Sequence, residues 1–306
     1  MFVPIGASLG GGRIIRALAL LALTSIVTGC SVVRLGYGQG PELVTWWLDA
    51  RLGLSPEQHE QLREPLRQWF DWHRRTQLPD YAALLRDAQR EVLQPARPEQ
   101  VCRWVDAFEQ RSATALNEAL PWLFGLAQTL EPAQRERLAR RFERENATWR
   151  KTYLADDAAA WRRSQYERTL RRVENFYGRL DEGQRRRLAR ALAGSPADPA
   201  RWDDERHQRQ RALLDALVAL HAAVPGERAP EQAAQDQTRL AEALLAWAVV
   251  PAQDGAETPA QRLRRFQCEL YASVHNDTTP AQRERAAARM RGWEVDARAL
   301  ATRARW

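Results

Sequence analysis

The chain has 306 residues, with 46 Lys and Arg against 39 Asp and Glu and a formal net charge of +7. That length allows a large core, in one elongated domain or two smaller ones. Sparse Val/Ile/Thr alternation and no Asn-Gly or Asp-Gly turn between apolar runs argue against a sheet protein. The expected fold is all-α.

Residues 1–29 read as an export signal. Arg13 and Arg16 precede an apolar run from Ala17 to Val27, which ends in Val27-Thr28-Gly29-Cys30. A basic start, a short apolar stretch and small residues describe a secretory signal. The run falls short of the roughly 20 residues that a spanning helix needs. The Val-Thr-Gly-Cys ending resembles the lipobox of bacterial lipoproteins. This resemblance implies acylation of the Cys30 sulfur, cleavage just before it, and attachment by lipid to an envelope membrane. By the same resemblance Ser31, where an aspartate would retain the protein in the inner membrane, implies the outer membrane. Residues 30–40 are Gly-rich and are expected to form a lipidated tether.

The helical domain is expected over 41–306. The periodicity predicts an irregular bundle of about ten helices, beginning with a short one at 41–52 that carries Trp46 and Trp47. Helices follow at 56–77, 79–93 and 98–130, the last with an expected kink near Pro121. Others are expected at 132–154, 156–180, 182–193, 199–224, 230–250, 259–275 and 280–302. Residues 194–199 and 225–229 read as hinges, and 251–257 as a polar loop.

A recurring tetrad, x-Pro-x-Gln, marks many of these starts: Ser55-Pro56-Glu57-Gln58, Arg97-Pro98-Glu99-Gln100, Glu131-Pro132-Ala133-Gln134, Ala229-Pro230-Glu231-Gln232, Thr258-Pro259-Ala260-Gln261 and Thr279-Pro280-Ala281-Gln282. Asp181-Glu182-Gly183-Gln184 is a variant without proline. Ser, Thr or Asp at the N-cap accepts an orphan N–H. Pro at the first helical position sacrifices no bond, and Gln three residues on can reach back to the cap's own N–H. Three units also share leucines, at Leu54, Leu130 and Leu180 before the cap and at Leu62, Leu138 and Leu188 eight residues later.

Cys102 and Cys268 are either a disulfide, which an oxidising compartment permits, or two buried free thiols. The cations are nearly all Arg, whose planar fork suits phosphate and carboxylate, and the run Arg185-Arg186-Arg187 reads as a solvated helix face. The histidines show no zinc-ligand spacing, and no nucleotide-binding or hydrolase motif occurs. No cofactor or metal is expected. The densest polar-aromatic cluster is Asp71-Trp72-His73-Arg74. His73 there reads either as a helix-surface residue beside Arg74 or as a proton carrier oriented by a carboxylate.

Order and spacing across the chain resemble an uncharacterised family, a domain of unknown function, of Gram-negative helical lipoproteins. The resemblance rests on Cys30-Ser31, Arg34-Leu35-x-Tyr37, Trp46-Trp47, Leu54-x-x-x-Gln58, Trp72-His73-Arg74 and Leu78-Pro79-x-Tyr81. It continues through Leu130-x-x-x-Gln134, Tyr153-Leu154, Gly178-Arg179-Leu180 and Gln184. A looser similarity is to periplasmic chaperones of the Leu-Thr-x-x-Gln type, with Ser55, Glu131 and Asp181 here in place of the threonine. The expected function is a non-enzymatic, outer-membrane-anchored lipoprotein that binds or scaffolds envelope proteins, with Trp46, Trp47, Trp72, His73, Arg74 and Tyr81 as candidate binding residues. Recognition of anionic lipid or lipopolysaccharide is one alternative and a cryptic hydrolase another. Export excludes nucleic acid as a partner.

Overall fold

In a computed structural model of the protein, residues 32–154, 158–221, 230–247 and 257–302 are described. Among them there is no strand. The helices in chain order are α1 (Val32–Gly38), α2 (Gly40–Leu52), α3 (Pro56–Trp72), α4 (Leu78–Glu91), α5 (Pro98–Gln128) and α6 (Pro132–Tyr153), then α7 (Ala158–Tyr177), α8 (Glu182–Ala193), α9 (Pro199–His221), α10 (Pro230–Leu245), α11 (Pro259–Asn276) and α12 (Pro280–Ala301). The signal segment, Cys30, the hinge at 225–229 and residues 251–256 of the polar loop lie outside the described residues.

The helix starts follow the local chemistry. Ser55, Asp181, Thr258 and Thr279 each accept from the backbone N–H three residues on, while the glutamine there accepts the cap's own N–H. At Arg97 and Glu131 the half made by glutamine is present: Arg97 N–H donates to Gln100 Oε1 (2.8 Å) and Glu131 N–H to Gln134 Oε1 (2.9 Å).

Four of these glutamines also pair across the fold. Gln58 Nε2 donates to Gln134 Oε1 (3.1 Å), and Gln134 Nε2 returns the bond to Gln58 Oε1 (2.8 Å). The second N–H of each amide goes to a loop carbonyl, Thr129 O for Gln58 and Gly53 O for Gln134, both at 2.8 Å. Gln184 and Gln282 repeat the arrangement (2.8 and 3.1 Å), with Asp277 O and Arg179 O as the loop acceptors. An amide has two donors and two acceptor sites. Each of these four uses all of them, which is what allows Gln58, Gln134 and Gln184 to be buried. Gly53 ends α2 in the left-handed region (φ 70°), which glycine enters without a Cβ penalty, and this turns its carbonyl towards Gln134.

Each amide pair lies beside a separate core. Leu62, Leu66, Leu126, Leu130, Leu138, Leu217 and Leu240 belong to the first, built from α2, α3, α5, α6, α9 and α10. Val173, Leu180, Leu188, Leu192, Leu270 and Val274 form the second, from α7, α8 and α11. α4 packs along α12, where Val92, Ala286 and Ala287 meet Phe176 and Met290. A third reciprocal amide pair, Asn146 with Gln210 (2.7 and 3.0 Å), joins α6 to α9.

Two expectations change. Residues 32–38, assigned to a tether, form α1. That helix is fixed by Arg34 Nε to Asp296 Oδ1 (2.6 Å) on α12 and by Tyr37 near α3. The stretches 56–77 and 79–93 are joined without a break, because a widened turn carries α3 into α4 despite Pro79. As expected, α5 is a single helix that includes Pro121.

Candidate functional site

Proline lacks an N–H and its ring crowds the carbonyl four residues back. Immediately before Pro79 the helix widens into one π turn, His73–Gln77, closed by Leu78 N–H donating to the His73 carbonyl. Side chains engage the carbonyls next to this turn: Thr76 Oγ1 donates to Trp72 O (2.9 Å) and Arg75 Nε to Asp71 O (3.3 Å). Single π turns inside α-helices occur often at functional sites.

His73 opens this turn. Its ring stacks on Trp69 (centroids 5.0 Å apart) and lies 5.5 Å from Tyr81 and 6.2 Å from Trp72. Tyr37 from α1 places its hydroxyl 2.9 Å from His73 Nδ1 and its ring edge-on to Phe70 at 5.4 Å. α2 begins against the same phenyl ring. A Cβ on Gly40 would stand 2.2 Å from Phe70 Cε1, so only glycine fits. Arg74 is buried beneath, with Nη2 3.5 Å from Asp71 Oδ1.

Burial pushes the His73 imidazole down to about 4 and the Tyr37 phenol well above its usual range. At neutral pH the ring is uncharged, and a phenol rather than a carboxylate meets its Nδ1. His73 is also half-buried, against the reading of it as a helix-surface residue. The arrangement ties α1, α3 and α4 together through aromatic contacts.

A second Tyr–His pair repeats the contact. Tyr177 places its hydroxyl 2.9 Å from His275 Nδ1, and His275 Nε2 lies 2.7 Å from Gln94 O. A carbonyl can only accept, so Nε2 carries the proton and the phenol donates to Nδ1. Burial raises Tyr177 to about 12 and lowers His275.

Both imidazoles therefore bind protons less readily in the folded chain than in the unfolded one. For His73 the window runs from 6.5 down to about 4. Within it the unfolded state holds more protons, so stability falls as pH falls and is level above the window. Allowing for solvent screening of the half-buried ring, His73 should contribute about 2 kcal/mol to this loss. Denaturant titrations at about pH 7.5 and about pH 5 should show a clearly smaller difference for His73→Gln than for the wild type. Equal differences would refute the assignment.

Of the residues singled out in the sequence, Trp72, His73, Arg74 and Tyr81 come together here. Trp46 and Trp47 do not. They stand outward on α2, 67% and 48% exposed. Cys102 and Cys268 are bonded, with Cα atoms 5.4 Å apart, joining α5 to α11. Among the described residues no group of three or more His, Cys, Asp or Glu could hold a metal ion, and no helix is long and apolar enough to cross a membrane.

Sequence reasoning overlooked Trp69 and Phe70 at this centre. It also missed an aromatic cleft of about 260 Å³ between α6, α7, α9 and α11. There Trp149, Tyr153, Trp161 and Trp202 follow one another at 4.8, 5.9 and 5.8 Å, with the Arg168 guanidinium 4.5 Å from the Tyr153 ring centre. Trp149 and Tyr153 share a stripe of α6, but Trp161 and Trp202 come from two other helices, so no spacing along the chain announces that the four meet. An apolar groove of about 330 Å³, lined by Leu84, Val92, Trp104, Phe108, Phe176 and Met290, runs between α4, α5, α7 and α12.

No curated protein and no solved structure matches the chain. Residues 50–228, more than half of the chain, match the profile of DUF6279, a family of unknown function, and the chain belongs to that family.

Proposed function

We propose that the protein is an envelope lipoprotein, held at the outer membrane through acylated Cys30, whose helical body binds other envelope proteins and catalyses no reaction. The lipobox-like ending at Cys30 supports the address. So does the Cys102–Cys268 bond, because disulfides persist in oxidising compartments. The observation that carries the binding role is the apolar groove, with Phe108 at its lip 69% exposed. A large exposed aromatic beside an apolar channel can take up an unfolded or apolar segment of another chain.

The test uses the mature chain, residues 30–306, with Cys30→Ser, which removes the acylation site. It should suppress aggregation of an unfolded client. Phe108→Asp, at a position too exposed to matter much for folding, should weaken that activity by about tenfold. Absent suppression, or equal suppression by the variant, counts against this reading.

A further inference from the structure

α2 is apolar on two sides. Val44, Leu48 and Leu52 belong to the first core. Leu43, Trp46 and Trp47 stand outward at one helical stripe, 50%, 67% and 48% exposed. A surface helix ordinarily carries one apolar face, so the outer stripe calls for its own explanation.

That stripe runs into a basic edge. The Arg51 guanidinium lies 3.7 Å from the Trp47 ring centre. Arg141 on α6 donates to the Ala50 carbonyl (3.3 Å) and pairs with Glu145 (2.8 Å), and Arg144 is exposed beside it. Arg141, Arg144 and Arg206 line an open groove of about 500 Å³ with Trp149 and Tyr153. Burial, and then the neighbouring Arg141, lowers Arg51 from its ordinary value, as expected where two cations approach. Glu42 lies at the opposite end of the stripe.

Chain length places this face close to any lipid on Cys30. Cys30 precedes the start of α1 by two residues, a reach of at most about 7 Å. α1 is fixed to the body through Arg34 and Tyr37 and spans about 10 Å. Trp46 lies six residues into α2, about 9 Å further along the helix axis. An acyl chain on Cys30 therefore leaves α2 within reach of the bilayer surface, where Trp is favoured at the headgroup level and Arg is drawn to anionic lipid.

We propose that the Leu43, Trp46 and Trp47 face of α2 seats in the interfacial layer of the bilayer that holds the Cys30 lipid, with Arg51, Arg141 and Arg144 meeting lipid phosphates. The inference rests on the anchor reading above. It fixes how the molecule stands, with α2 against the membrane, where a tether alone would leave it free to turn.

The mature chain, residues 30–306 with Cys30→Ser, is mixed with vesicles of phosphatidylethanolamine and phosphatidylglycerol, and tryptophan fluorescence is read with iodide as an aqueous quencher. Vesicles should shield part of the emission, and salt should weaken the effect. Trp46→Ala with Trp47→Ala should lower vesicle binding by about tenfold and abolish the shielding. Trp46→Ala alone, at the more exposed position, should give a partial loss and guards against a folding defect. Unchanged binding or shielding in the variants overturns the proposal. So does a face shielded by an added envelope protein but not by vesicles. Palmitate labelling of wild-type cells separates the two readings. Label on Cys30 without vesicle shielding sinks the docking face and leaves the anchor. Tryptophan-dependent shielding without label sinks the anchor and leaves the face.

Discussion

Replacing Cys102 and Cys268 together with alanine should lower the unfolding free energy by about 5 kcal/mol. The two cysteines stand 166 residues apart in the sequence, and cross-linking so long a loop removes much of the freedom of the unfolded chain. The native helices should stay together without the bond, because Arg264 on α11 reaches both Asp106 and Glu109 on α5. The loss should therefore appear mainly through the unfolded state. Guanidinium titrations of oxidised wild type and double variant measure it directly. Adding reductant should bring the wild type down to the level of the variant and leave the variant unmoved. A difference below about 1 kcal/mol would show that the unfolded chain is already restricted in other ways.

Gln58→Glu should cost about 3 kcal/mol. Glutamate has the same shape and still accepts the Ser55 N–H, so the helix start survives. It cannot donate, and it loses the bonds to Gln134 Oε1 and Thr129 O. It also faces a carboxylate towards those two acceptors at a site that is 4% exposed, where an unpaired charge is strongly disfavoured. Acid should return part of the loss, because the protonated side chain regains one donor. The double variant Gln58→Leu, Gln134→Leu should cost less than the sum of its single changes, since each single change strands the other amide and the pair does not. Additive costs would mean that the two amides act independently. Gln282→Glu, on the less buried member of the second pair, should be milder.

These glutamines also show how much was legible in the sequence. The helix starts at Pro56, Pro132, Glu182, Pro259 and Pro280 could be read because a capping bond spans three residues and its chemistry sits inside one tetrad. The all-helical class was legible for the same reason, and so were the two cysteines as a candidate pair. Nothing in the tetrads says that Gln58 faces Gln134 or that Gln184 faces Gln282. The leucine spacing singled out three units, yet Gln282 follows Thr278 where the others have leucine, so the fourth partner carried no mark. The candidate site was half legible. Asp71-Trp72-His73-Arg74 could be seen as a cluster, but its burial, its π turn and the Tyr37 contact could not.

The sequence by itself determined where the capped helices begin, which class of fold they build and which residues could cap or cross-link, because those properties rest on bonds between near neighbours in the chain. Only the tertiary structure decided that residues 32–38 form a helix, that His73 is uncharged among aromatic rings, and that Trp46 and Trp47 face outward while Leu48 and Leu52 face in. Those outcomes depend on which surfaces win the competition for burial. That competition sums many weak contacts between segments far apart in the chain, and no local pattern records its result.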